Sequence, residues 1–155
     1  MLDDLTRVVR HLHDVTADLR PEHECLVHDD LQPRNVVVQG ERFGLIDWEQ
    51  LRAGRRIEDV AQLCWAFADL ELDRDVEAVG RRWRRVLDVY GLVDRTEVTS
   101  VARAKIDQCI DAILRLAALG SARHQRLRDR GDPTDLGRMR HWLTSNQAHL
   151  DNAIN

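Results

Sequence analysis

Asp30, Asn35 and Asp47 are the residues whose types and spacing are best suited to chemistry. They lie in two strings, Leu26-Val-His-Asp-Asp-Leu-Gln-Pro-Arg-Asn35 and Ile46-Asp47-Trp48-Glu49. Between them come a β-branched run (Val36-Val37-Val38), a Gly-containing segment (Gln39-Gly40-Glu41-Arg42) and an apolar stretch over 43–46, a pattern that predicts a β-hairpin. With the turn centred on Gly40 and Glu41, Asn35 lies opposite Ile46, one step from Asp47. An amide oxygen and a carboxylate then meet at the open end of the hairpin, and Asp30 sits on the loop just before it. Mg²⁺ commonly takes one or two protein oxygens and completes its shell with phosphates and water, so Asn35 with Asp47 would make a partial Mg²⁺ site. Turn chemistry offers a plainer reading of the first string, because Asp, Pro and Asn are ordinary turn residues and one of them can form an Asx cap. It does not account for the hairpin and the second Asp.

The pattern His28-x-Asp30-x-x-x-x-Asn35 resembles the catalytic loop of kinases. In the form written here, over residues 26–65, it resembles the aminoglycoside phosphotransferase and choline kinase-like family. The resemblance implies a protein-kinase-like fold and phosphoryl transfer from ATP or GTP, with Mg²⁺, to a small-molecule hydroxyl. It gives Asp30 the role of catalytic base, and Asn35 and Asp47 those of Mg²⁺ and nucleotide ligands. His28 would hold the loop by packing and hydrogen bonding. Asp59, in Ile57-Glu58-Asp59-Val60-Ala61, matches the carboxylate that braces the loop; a helix N-terminal acid favoured by the macrodipole is the alternative, and both can hold together. Glu49 either supports the metal ligand from behind or is a surface acid. The acceptor would lie against the helices beyond residue 60; the acids Glu58, Asp69, Glu71, Asp73 and Asp75 either attract a cationic acceptor or form a solvated surface.

The chain departs from the family pattern in several places. Position 29 carries Asp where Gly is frequent, adding a like charge beside the proposed base that Mg²⁺ would offset. Position 32 carries Gln where a His or Lys near the transferred phosphate is common; Arg34 would supply a cation only by turning inward, and a solvated loop position is expected for it. No Gly-rich loop precedes Asp30, and the single lysine, Lys105, falls downstream. The expectation is therefore one domain over residues 1–155, α+β but mostly α: the C-terminal lobe of a kinase-like fold, with the nucleotide-binding lobe absent. Such a lobe could be a phosphotransferase that relies on a partner for the missing part. It could instead be a truncated relative or pseudoenzyme acting as a binding or assembly module. Apolar surface along the hairpin and first helix would then favour a homodimer or a tight partner. A metal-dependent phosphohydrolase built on His13-Asp14 and His28-Asp29 is a remote third reading.

The surrounding elements must hold these groups. Leu5, Val8, Val9, Leu12 and Val15 mark a first amphipathic helix, and further helices are expected over 57–70, 75–90, 97–119 and 134–150, with a loop at 128–133. That makes five helices and one hairpin. Arg81-Arg82-Trp83-Arg84-Arg85 could suggest a nucleic-acid patch, but Trp83 falls on the apolar face and the net charge is −4, so a solvated helix face is expected and nucleic acid is not. His11, His13, His23, Cys25 and His28 lack the paired spacing of a zinc site. The three cysteines, widely spaced, suit free thiols in a reducing cytoplasm. Hydrophobic content of 43% and charged content of 32% describe a folded domain, with no membrane span and no secretory leader expected.

Overall fold

A computed structural model describes residues 1–17, 25–40, 42–67 and 75–155. Among these, six α-helices and four short strands make a mostly helical α+β fold. Helix α1 (Leu2–Thr16) leads towards strand β1 (Cys25–Val27), and a loop then ends in a 3₁₀ turn at Pro33–Asn35. Strands β2 (Val36–Gln39) and β3 (Arg42–Leu45) form the expected hairpin, pairing Val36 with Leu45 and Gln39 with Arg42. Ile46 N–H donates to the Asn35 carbonyl at 3.0 Å, so the register places Asn35 opposite Ile46, as the turn position predicts. A second 3₁₀ turn at Trp48–Gln50 leads to strand β4 (Arg52–Gly54), which pairs antiparallel with β1.

Helices α2 (Arg56–Phe67), α3 (Val76–Tyr90), α4 (Val98–Ala118), α5 (Ala122–Arg130) and α6 (Asp132–Ile154) follow. The expected 57–70, 75–90, 97–119 and 134–150 helices are present, the last within α6, with residues 68–70 lying outside the described residues. Helix α3 stops at Gly91, whose φ of 78° is the left-handed cap geometry that glycine adopts without strain. The core is built from Leu63 and Cys64 of α2, Trp83 and Leu87 of α3, Ile106 of α4 and Leu143 of α6, all fully buried. Trp83 therefore takes the apolar face, while Arg81, Arg84 and Arg85 are exposed, Arg85 pairing with Asp3 at 2.8 Å.

Two expectations are corrected. The 128–133 stretch is not a loop: α5 runs through Arg130, a single left-handed Gly131 (φ 96°) turns the chain, and α6 starts at Asp132 with Pro133 in its first turn. Pro is tolerated there because a first-turn N–H has no intrahelical acceptor. On α1 the buried stripe is Leu5, Val9, His13 and Thr16, while Val8 and Val15 are 42% and 56% exposed. The stripe is rotated because His13 has polar partners that let it lie inside. The three cysteines are unpaired; Cys25 and Cys64 are buried, and burial pushes the Cys25 thiol up to about 11. No helix among the described residues is long and apolar enough to cross a membrane.

Candidate active site

The loop between β1 and the first 3₁₀ turn carries the predicted base and is tied down at several points. Asp59, fully buried in the first turn of α2, accepts the His28 N–H at 2.7 Å and the Asp29 N–H at 3.0 Å. The same carboxylate meets His13 Nε2 at 3.1 Å, and His13 Nδ1 lies 2.7 Å from the Tyr90 hydroxyl. With Nε2–H donating to Asp59, Nδ1 is left to accept from Tyr90. A buried chain Tyr90–His13–Asp59 thus runs from α3 through α1 to the loop. Burial, only partly opposed by Arg56, pushes the Tyr90 hydroxyl up to about 12, so it remains a donor. Sequence reading identified Asp59 but missed His13 and Tyr90. The available signal was His13 standing one helical turn beyond Val9 on the apolar side of α1.

His28 is fully buried. Its Nδ1 accepts the Asp30 N–H at 3.4 Å, which leaves Nε2 to donate to the Ile46 carbonyl at 3.1 Å. Its ring packs against Trp48 at 4.6 Å. The loop is thereby joined to the end of β3, where Asp47 follows. The ring nitrogens of His13 and His28 are all engaged with protein groups, and His23 lies outside the described residues.

Asp30 and Asn35 are brought into direct contact. The Asn35 side-chain amide donates to the Asp30 carbonyl and to its Oδ2, both at 2.8 Å. That use of the amide nitrogen leaves Asn35 Oδ1 without a described hydrogen-bond donor. Asp47, half-buried and in the left-handed region at φ 66°, likewise has no described hydrogen-bond partner. Register puts these two oxygen-bearing residues at the same end of the hairpin, so the donor set suits a hard cation completed by phosphate oxygens.

Arg34 is exposed, as expected of a solvated loop position, but its side chain turns back onto Asp30. Its Nη2 donates to Asp30 Oδ1 at 3.0 Å and Oδ2 at 2.9 Å, and its Nη1 donates to Gln32 Oε1 at 2.6 Å. Proline at 33 starts the 3₁₀ turn that brings position 34 back over position 30. Asp29 also differs from the simple expectation of a bare like charge beside the base. Its φ of 64° is a conformation natural to glycine and accessible to Asp. Its carboxylate takes Arg52 Nε at 2.7 Å and also contacts Lys105, which reaches in from α4. Glu58 joins both bases, bonding Arg52 and lying 3.2 Å from Lys105. Burial alone would raise the Glu58 carboxyl; Arg52, the Arg55 N–H and Lys105 together hold it down to about 2.

Beside Asp29 and Asp30 opens a cleft of about 670 Å³, walled by the loop and by α2, α4, α5 and α6. Lys105, Gln62 and Trp65 are among its lining residues, and Leu127, Leu136 and Met139 add apolar lining.

A mostly helical α+β fold with this loop and hairpin defines the class, and comparison with known proteins agrees. The chain matches the phosphotransferase enzyme family over residues 2–96, and it belongs to that family. It is also 33% identical, over 110 residues, to the trifolitoxin immunity protein of Rhizobium leguminosarum bv. trifolii; the match covers 55% of this chain and 42% of that protein. The chain thus spans less than half the length of this curated relative. No solved structure matches.

Proposed function

We propose that this chain is the catalytic lobe, of protein-kinase-like fold, of a phosphotransferase that passes a phosphoryl group from ATP or GTP to a hydroxyl of a small molecule. Aminoglycoside- and choline-type compounds fall within that acceptor class. The observation that carries the reading is the joining of Asp30 to Asn35, with Asp47 held by register at the same end of the hairpin. Asn35 and Asp47 would hold Mg²⁺, which when bound neutralises charge on the transferred group. Asp30 orients the acceptor hydroxyl and receives its proton. A carboxylate offers about four lone pairs; three are taken, by Arg34 twice and Asn35 once. The remaining one, on Oδ1, is where the hydroxyl donates. Asp59 and His28 hold the loop at fixed height above the cleft, and Arg34 supplies the positive charge that Gln32 cannot.

Calorimetric titration with Mg·ATP, beside an Asp47→Ala control, tests the reading. Binding that disappears in the control supports it, and hydroxyl acceptors are then screened for phosphorylation. No binding at millimolar ATP or GTP removes catalysis by this chain alone.

A second reading rests on the relative's name and on a surface. The immunity protein suggests a role in toxin immunity, by modifying or by binding a toxin. Val37, Val38, Ile46, Trp48 and Leu51 are each at least 40% exposed on and beside the hairpin. An apolar patch of that kind commonly marks an association surface. A second copy, or a partner supplying the nucleotide-binding part, would cover it. A strictly monomeric chain at micromolar concentration in sedimentation would count against that association.

A further inference from the structure

Asp29 stands between the buried His28 and the proposed base, in the left-handed region at φ 64°. A residue other than glycine keeps such a conformation where surrounding contacts over-determine it, and these positions gather at functional sites. Here the contacts grip both ends of the residue. Asp59 takes the Asp29 N–H at 3.0 Å, while Arg52 and Lys105 hold its carboxylate. With backbone and side chain both fixed, the peptide that leads into Asp30 has little room to turn.

The two bases are not equivalent. Arg52 comes from β4 with its side chain 42% exposed, so water and salt screen its pull. Lys105 comes from α4 with 5% of its side chain exposed, and its charge acts at short range with little screening. It also lies 3.2 Å from Glu58, the neighbour of Asp59 in the first turn of α2. Lys105 belongs to the face of α4 that walls the cleft, with Gln108, Cys109, Ala112 and Ile113 at steps of three and four residues. It is the one charged residue of that face.

We infer that Lys105 is a positioning residue for Asp30. Acting through the Asp29 carboxylate, it ties the α4 wall of the cleft to the loop and sets where the Asp30 carboxylate stands. The inference rests on the phosphotransferase reading for the role of Asp30 as base; the tie itself does not. A glycine at position 29 would adopt the same φ freely, but it would take the loop's carboxylate away from Lys105.

The test reads Asp30 through its neighbour. The Asn35 side-chain amide donates to the Asp30 carbonyl and carboxylate, both at 2.8 Å, so its N–H resonances report where that carboxylate stands. They are assigned in the isotopically labelled full chain by their loss in Asn35→Ser. Lys105→Met should move them towards the position of a free side-chain amide, and Lys105→Arg, which keeps the charge, should hold them near the natural one. Gly80→Ala overpacks α3 against α6 without touching the loop and should leave them unmoved. Asp29→Asn keeps the size and the left-handed preference but drops the charge. It should move the resonances by itself, and Lys105→Met should then add little. It also carries the test if Lys105→Met does not fold. Resonances that stay in place in Lys105→Met or in Asp29→Asn overturn the proposal. So does an equal shift in Gly80→Ala, or a Lys105→Met shift that persists in full when position 29 is Asn.

Titration with Mg·ATP separates the two claims. Shifted resonances without nucleotide binding remove catalysis by this chain alone and keep Lys105 as the residue that places Asp30. Where an acceptor is phosphorylated, Lys105→Met should lower kcat about tenfold and leave the KM for Mg·ATP unchanged. A raised KM with an unchanged kcat overturns the positioning role.

Discussion

The guanidinium of Arg34 spans both carboxylate oxygens of Asp30, at 3.0 and 2.9 Å, across a single turn of chain. Both bonds come from one nitrogen, Nη2, while Nη1 holds Gln32; the charge-assisted contact ties down both carboxylate oxygens and leaves one lone pair for an acceptor hydroxyl. Replacing Arg34 by Met keeps the length of the side chain and removes both bonds. In a chain competent for transfer, kcat should fall by about tenfold to a hundredfold while the KM for Mg·ATP stays within a small factor, as expected for loss of orientation. Steady-state kinetics of Arg34→Met beside Arg34→Lys would show it. An unchanged kcat in both would mean that Asp30 does not need the Arg34 contact.

Asp59 is the point at which three elements meet, accepting from two loop N–H groups and from His13. Asp59→Ala should cost about 3–5 kcal/mol, because it strands buried donors that had a charged acceptor. Tyr90→Phe removes only the outermost bond and should cost about 1 kcal/mol. Urea unfolding of both variants and of the double variant would check the ordering. If the bonds form one chain, the double variant should be less destabilised than the sum of the two singles.

Those two clusters show what was legible in the sequence. The hairpin, its register and the Asp30–Asn35 proximity follow from local chemistry: a β-branched run, a glycine turn and fixed alternation along a strand. Four of the later helices, over 57–70, 75–90, 97–119 and 134–150, followed from periodicity. The partners of Asp29 did not, since Arg52 and Lys105 approach from elements 23 and 76 residues away and no local pattern records that meeting. His13 was missed for a related reason. An imidazole on an apolar stripe is explained only once Asp59 and Tyr90 are seen beside it. Helix α5 was missed because it buries no residue at all, so its sequence has no apolar stripe to read.

Glu58 makes stability depend on pH in a definite direction. Its carboxyl sits at about 2 in the folded chain, below the ordinary 4.5, so the folded state favours the ionised form. The stabilisation is fully present above the ordinary value and is lost as pH falls from about 4.5 towards 2. Its size is on the order of 3 kcal/mol. Unfolding free energies measured from pH 7 to pH 3 should therefore drop more steeply for the natural chain than for Glu58→Gln. Equal slopes would mean that Arg52 and Lys105 do not hold Glu58 as described.

Gly80 on α3 lies where α6 crosses closest. A Cβ built there would stand 2.4 Å from the Ala153 Cβ, a distance that real packing does not allow. In an exposed helix, Gly→Ala would stabilise by about 1 kcal/mol through backbone entropy alone. Here overpacking should win, because α3 and α6 share a filled core and must separate to admit the methyl group; Gly80→Ala should lose about 1–3 kcal/mol. Ala153→Gly in the same chain removes the opposing methyl group and should restore most of the loss. Thermal or urea unfolding of the single and paired variants decides it. A stabilising Gly80→Ala would show that the two helices are not in contact at this crossing.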